Sequence, residues 1–310
     1  MTGPNAMRVK VLVPNDIGLD LSGGHPKIEA VFYEPGAPWR PEHLDATVVV
    51  VGFENAPAVG ARFAELLNLR LVQTLNAGYE QWLPHVPEGV LLSNGRGAHG
   101  GSSAEWVVAA LLSIYRQLPY FGEQQQRGAW RPRDTETLIG KRVVILGAGD
   151  LAVNLAARLA PFETDVTLVG QRARPGVLAL GEIDSLLPDS DAVVAMLPSN
   201  AATNRLIDAE FLAKLRDGAI VVNAGRGSAV DTEALLAELT SGRLRAALDV
   251  TDPEPLPDGH PLWSAPGLLL TPHVAGSTEG AWDRAWQVAQ HQIGVYADGG
   301  TPPNLVTGSR

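Results

Sequence analysis

The stretch "VVILGAGDLA" constrains this chain more than any other. Val143–Leu146 form an apolar run that stops at Gly147, and Gly149 and Ala152 follow. Such a run reads as a buried strand ending in a tight turn. "LAVNLAARLAP" after it has helical spacing. Strand, Gly-x-Gly-x-x-Ala turn and helix, in that order, are the context of a dinucleotide fingerprint. Gly147 permits the turn, Gly149 admits the pyrophosphate, and Ala152 is small where helix meets strand. The helix opens at Asp150 and Leu151, and its N-terminus offers N–H donors and a positive dipole end to phosphates. Without a ligand, the same turn is a plain βα connection of another α/β fold.

The rest of the chain repeats the alternation of strand and helix. Before the turn, strands are expected at 8–14, 27–34, 46–53, 69–75 and 90–94. "VGARFAELLN" reads as a helix, and a long helix is expected from Ser103, with Ser102 and Glu105 as its capping box. "GEQQQRGAWRPRDTETLIG" reads as a polar surface arm. After the turn, "TDVTLVG", "DAVVAMLP", "GAIVVNAG", "RLRAALDV" and "GLLLTPH" are strand candidates, with "AEFLAKLR" and "TEALLAELTSG" as helices between them. A last amphipathic helix covers 278–297, and the tail "TPPNLVTGSR" is expected to pack on the first domain. Short connections between strands and helices imply right-handed βαβ units and parallel sheets. The 310 residues suffice for two domains.

A site for NAD expects a carboxylate about 20 residues after the turn, on the ribose 2′-OH. Here the second strand ends in Gly170, and Gln171, Arg172 and Arg174 follow. A carboxylate repels a 2′-phosphate, whereas glycine leaves room and arginine pairs with it bidentately. NADP is therefore expected over NAD, with Gln171, Arg172 and Arg174 at the ribose. Solvated loop charges are the plainer reading of the two arginines.

Three later segments put charged residues at strand ends or in the loops after them, where α/β sheets bind ligands. Arg226 stands between Gly225 and Gly227, Asp249 ends a strand, Glu254 lies in a proline-braced loop, and His273 follows a proline. A reducible 2-keto acid needs a cation for its carboxylate and an acid for its carbonyl oxygen. Arginine suits the first task and a carboxylate-paired histidine the second. Taken singly, each residue also has an ordinary structural role.

Together, "LGAGDLA", "MLPSNAATNRLID", "VVNAGRGSAVDTEAL", "ALDVTDPEPLPDGHPLW" and "TPHVAGST" resemble, in order, the motifs of the D-isomer-specific 2-hydroxyacid dehydrogenases. The resemblance spans about 70–300 and is sharpest from 140 to 275. It implies an α/β fold of two domains with parallel sheets: an inserted Rossmann dinucleotide-binding domain, 99–287, and a flavodoxin-like substrate domain, 1–98 with 288–310. It implies Arg226 as the substrate-binding arginine, Glu254 as the carboxylate partner, and His273 as proton donor and acceptor. Leu197, Pro198, Ala224 and Asp249 fall at cofactor positions, Asp249 near the nicotinamide carboxamide. Asn76, Ala77 and Gly78 match a loop whose backbone N–H groups hold the substrate carboxylate, with Asn76 departing from the commoner residue there. Arg96 and His99 are unusual in the hinge segment, and Trp130 resembles the arm at the dimer interface of that family. The implied activity is reduction of a small 2-keto acid, of the glyoxylate or hydroxypyruvate class, to a D-2-hydroxy acid in a homodimer.

Two other readings stay open on this scaffold. One is an oxidoreductase of a different small anion, of the phosphite or formate type. The other is a cofactor-sensing binding protein resembling the corepressors that share the fold. A net charge of -10 offers no broad nucleic-acid surface. No segment has the roughly 20 apolar residues of a membrane span. Cysteine is absent, which removes thiolate catalysis and cysteine-ligated metal and suits the cytoplasm. No metal site is expected.

Overall fold

The computed structural model describes residues 8–52 and 56–306. Residues 1–7, Phe53 at the end of the third expected strand, and the last four residues of the tail lie outside the described residues. Two compact units are present: Met1–His99 with Glu279–Arg310, and Gly100–Thr278.

The first unit opens with β1 (Val9–Val13), α1 (Leu21–Gly24), β2 (Ile28–Phe32), β3 (Val48–Val51), α2 (Ala56–Gly60), β4 (Leu71–Thr74) and β5 (Leu91–Ser93). The inserted unit carries α3 (Gly100–Tyr115), α4 (Leu118–Gln126), β6 (Arg142–Leu146), α5 (Asp150–Leu159), β7 (Asp165–Gly170), β8 (Leu178–Ala179) and β9 (Ala192–Ala195). It continues through α6 (Ala209–Ala213), β10 (Ile220–Asn223), α7 (Thr232–Thr240), β11 (Arg245–Leu248) and β12 (Leu268–Leu270). Then α8 (Ala281–Ala297) returns the chain to the first unit. No helix among the described residues is long and apolar enough to cross a membrane.

In the first unit the strand order is β2-β1-β3-β4-β5, with every pairing between these strands parallel. Side chains alternate between faces along a strand, so β3, all valine, feeds both faces. Val49 and Val51 join Leu12, Phe63 and Trp82 in one core. Val48 and Val50 join Val11, Val13 and Leu71 in the other. That second core is closed by Ala285, Trp286, Ala289 and Ile293 of α8. This corrects the boundary expected at 288: the first half of α8 packs into the first unit, so the division falls at 278/279. The first crossing falls after His99, one residue beyond the expected 98. The tail does pack on this unit, where Leu305 bridges Ser93 and the Val306 N–H donates to the Leu92 carbonyl at 2.8 Å.

In the inserted unit the order is β12-β11-β10-β9-β6-β7-β8, again parallel throughout. The chain fills one side of β6 with β7 and β8, then crosses to the other side for β9 to β12. The switch point is the gap between β6 and β9. Ligands of open α/β sheets bind at the carboxyl ends of the strands beside such a gap.

Candidate active site

The glycine turn follows β6 at the switch point. Gly147 has φ 119° in the left-handed region, and a Cβ there would stand 2.6 Å from the Met196 carbonyl after β9. Glycine is required by both the turn and the close approach. A Cβ on Gly149 would meet nothing within 4 Å. The turn therefore leaves open space in front of the first residues of α5, as a pyrophosphate needs. Asp150 begins α5, and one of its carboxylate oxygens accepts from Asn154 Nδ2 at 3.1 Å. The other packs so closely on Gly100 that a Cβ there would collide with it. Leu151 packs partly buried on the core beneath.

The end of β7 carries no carboxylate. Gln171, Arg172 and Arg174 are exposed there, and Arg174 pairs backbone to backbone with Val177. The Arg174 guanidinium reaches back to the glycine turn, donating to the Ala148 carbonyl at 2.5 Å. After β9 come Leu197, half-buried, and Pro198, exposed. Ala224 after β10 is buried. The chain thus fits a dinucleotide: an open turn, a helix N-terminus, and two exposed arginines after β7.

The turn after β10 presents Arg226 in extended backbone, φ −134° and ψ 138°. A Cβ on Gly225 would meet Leu197 backbone at 2.7 Å, and one on Gly227 the Thr251 carbonyl at 1.8 Å. Only glycines fit on either side of this arginine. After β11, Asp249 is 3% exposed, yet it carries a carboxylate. Its Oδ1 accepts from Thr271 Oγ1 at 2.6 Å and the Val274 N–H at 2.8 Å, and Oδ2 from the Ala275 N–H at 2.9 Å. These bonds enclose His273, whose own N–H donates to the Asp249 carbonyl at 2.7 Å. They hold His273 at φ 53°, a conformation uncommon outside glycine. His273 Nδ1 lies 2.6 Å from Glu254 Oε1. A carboxylate only accepts, so Nδ1 is the protonated nitrogen of this pair, and Nε2 lies outside it. The His273 side chain remains 53% exposed, so solvent can reach it.

In the first unit, Asn76–Gly78 form the turn after β4. The Asn76 carbonyl accepts from the Gly95 N–H at 2.7 Å and from Thr74 Oγ1 at 2.6 Å; the Ala77 carbonyl accepts from Asn94 Nδ2 at 2.9 Å. In a trans peptide the N–H points opposite to the carbonyl. Pinning these carbonyls inward turns the N–H groups of Ala77 and Gly78 outward, and neither has an acceptor among the described residues. Two hinge residues take structural places. Arg96 ties the tail, donating to the Pro303 carbonyl and Asn304 Oδ1, each at 3.0 Å. His99 packs at the Leu75 carbonyl, and its burial holds its pKa below the ordinary value. Asn223, which sequence reasoning passed over, is fully buried at the end of β10. Its signal was a lone polar residue closing the apolar run "AIVV".

A doubly wound parallel sheet with an open glycine turn at its switch point, and with Arg, Glu and His along one edge, defines a nicotinamide-dinucleotide-dependent oxidoreductase. Residues 108–275 match the model of the D-isomer specific 2-hydroxyacid dehydrogenase, NAD binding domain. A glyoxylate reductase of Thermofilum pendens is 30% identical over 256 residues, covering 77% of this chain and 75% of that protein. A D-isomer specific 2-hydroxyacid dehydrogenase of Xanthobacter autotrophicus Py2, solved with NADPH and MES, is 31% identical with a TM-score of 0.82, covering 97% of this chain and 98% of that one. An NADPH-dependent glyoxylate/hydroxypyruvate reductase of Sinorhizobium meliloti, solved with NADP and sulfate, is 26% identical with a TM-score of 0.79, covering 96% and 98%. The chain belongs to the D-isomer specific 2-hydroxyacid dehydrogenase family.

Proposed function

We propose that this protein reduces a small 2-keto acid of the glyoxylate or hydroxypyruvate class to the D-2-hydroxy acid, with NADPH preferred over NADH. The 2.6 Å pair of His273 and Glu254 carries the reading, since a sensor protein has no use for a proton donor at a strand end. The named activities of the similar reductases support the substrate class.

When bound, the reduced nicotinamide supplies the hydride that reaches the carbonyl carbon. Arg226 pairs with the substrate carboxylate and lies toward its carbonyl oxygen. The outward N–H groups of Ala77 and Gly78 are the second proposed anchor for the carboxylate. His273, charged and bonded through Nδ1 to Glu254, gives its Nε2 proton to the oxygen as negative charge develops there. The imidazole is left neutral, keeps its Nδ1–H bond to Glu254, and regains a proton from solvent at Nε2. Glu254 holds the ring orientation through that bond. Asp249 is proposed near the carboxamide, with Gly147, Gly149, Asp150, Leu151, Leu197, Pro198 and Ala224 around the rest of the dinucleotide. Trp130, 95% exposed on the arm after α4, is proposed to be covered in a homodimer.

NADPH oxidation with glyoxylate, hydroxypyruvate, pyruvate and bulkier 2-keto acids tests the reading. His273→Ala is expected to lose about three orders of magnitude in kcat and to keep its NADPH affinity. Normal turnover in that variant, or NADPH binding by the wild type without oxidation by any acid, refutes it; the second result favours the sensor. Activity confined to phosphite or formate favours the other oxidoreductase. For the cofactor, replacing Arg172 and Arg174 with glutamine is expected to raise the KM for NADPH about tenfold or more and to leave that for NADH nearly unchanged. Equal effects on both cofactors return the arginines to ordinary loop charges.

A further inference from the structure

We propose that Asn223 is a positioning residue for Arg226, a role that rests on the function proposed above. Asn223 closes β10 between Ala195 of β9 and Leu248 of β11 and is 0% exposed. A strand covered on both faces ordinarily carries an apolar residue at such a place. A buried amide is tolerated only when its donor and acceptor are both satisfied. Here both are spent on one turn. Asn223 Nδ2 donates to the Arg226 carbonyl at 2.9 Å, and Oδ1 accepts from the Gly225 N–H at 3.1 Å. These two groups bracket Gly225 and Arg226, whose backbone torsions aim the guanidinium. The Arg226 carbonyl also accepts the Ala229 N–H at 3.1 Å, which closes the turn from its far side.

The amide also sits at the start of a ladder. The Asn223 carbonyl accepts the Asp249 N–H at 2.9 Å, and the Asp249 carbonyl accepts the His273 N–H at 2.7 Å. Arg226, after β10, and His273, after β12, are thereby linked across the end of β11 through backbone bonds, and the Asn223 side chain fixes the arginine end. A bidentate clamp on a carboxylate tolerates only small displacements of the guanidinium. Loosening the turn therefore weakens substrate binding before it touches hydride transfer or the cofactor.

The test is a double-mutant cycle by steady-state NADPH oxidation in the full chain, using whichever 2-keto acid the wild type turns over best. Asn223→Asp keeps the acceptor for the Gly225 N–H and sets a second oxygen against the Arg226 carbonyl. It is expected to raise the KM for the keto acid about tenfold, with kcat changed by less than about threefold and the NADPH Kd by less than about twofold. In an Arg226→Lys background the same change is expected to raise KM by less than about twofold, because the two residues act as one. Should Asn223→Asp fail to fold, Asn223→Ser, which keeps a hydroxyl acceptor, is read in the same way. Additive penalties overturn the assignment, as does an unchanged KM, or a rise in NADPH Kd matching that in KM. Those results come from an active wild type and leave the proposed function standing. A wild type inactive on every 2-keto acid overturns the proposed function and this role with it.

Discussion

His43 is 1% exposed, and burial favours its neutral form. Nδ1 accepts the Arg40 N–H at 3.1 Å, so the proton sits on Nε2 and is donated to the Phe32 carbonyl at 3.1 Å. Burial lowers its pKa below the usual 6.5 and Arg40 adds to that, against the Phe32 carbonyl and Glu42. In the unfolded chain the ring takes up a proton near pH 6.5, and in the folded chain only at lower pH. The folded state is thus the poorer proton binder, so stability is complete above the unfolded value and declines as pH falls through it. The slope for one such group is at most about 1.4 kcal/mol per pH unit. The melting temperature is expected to fall between pH 7.5 and pH 5. His43→Gln should start lower at pH 7.5 but lose less over that interval; an equal loss in both proteins disproves the neutral histidine. The residues proposed to react differ from His43 in what the sequence could show. Arg226, Glu254 and His273 are ionisable side chains at strand ends or in the loops after them, and that placement is visible in a string of letters. His43 and Asn223 are polar groups whose meaning lies in which backbone atoms they meet. Asn223 left a faint trace, because a side-chain oxygen bonded two residues on is an ordinary Asx turn.

Among the elements, legibility followed burial. β6, β9, β10 and β11 are short apolar runs covered on both faces, and the sequence places each within two or three residues. β8 has two residues, too few for any period to register. "VGARFAELLN" has helical spacing, yet the helix stops at Gly60, and only a 3-10 turn follows at Phe63–Glu65. Glycine weakens the helix there. The Arg62 carbonyl accepts from Trp39 Nε1 at 2.9 Å, a tertiary bond no local pattern reveals. A helix over Leu118–Gln126 runs into the start of the polar arm. Its glutamines and glutamate are good helix formers without an apolar stripe, and Pro119 sits where a helix start tolerates it. The arm's remainder, past the helix, has no regular structure up to Thr137. α3 begins at Gly100, ahead of the Ser102–Glu105 signature, because the Asp150 carboxylate packs against that first residue.

At the scale of the whole chain, the two units differ in how much of their core is contiguous in sequence. Both faces of the seven-stranded sheet are covered from within Gly100–Thr278: Phe211, Leu212, Leu235 and Leu239 lie on one face, and Val107, Leu111, Leu155 and Leu159 on the other. The five-stranded sheet has one face covered locally and the other closed by α8, which arrives from beyond the inserted unit. Burial of apolar area is the main favourable term in folding, so the two halves should respond differently to being cut apart. A fragment of residues 100–278 contains a complete core, the glycine turn and Arg174. It is expected to unfold in one cooperative transition and to bind NADPH within about tenfold of the full chain. A fragment of residues 1–99 retains five strands but leaves Val11, Val13, Val48, Val50 and Leu71 without their helix. It is expected to bind a hydrophobic dye and to show no sharp melting transition, until a peptide spanning 279–310 is added. Calorimetry and NADPH fluorescence titration on the two fragments decide the matter. A 1–99 fragment that melts sharply alone, or a 100–278 fragment that does not, would show that contiguity of the core is not what holds each unit together.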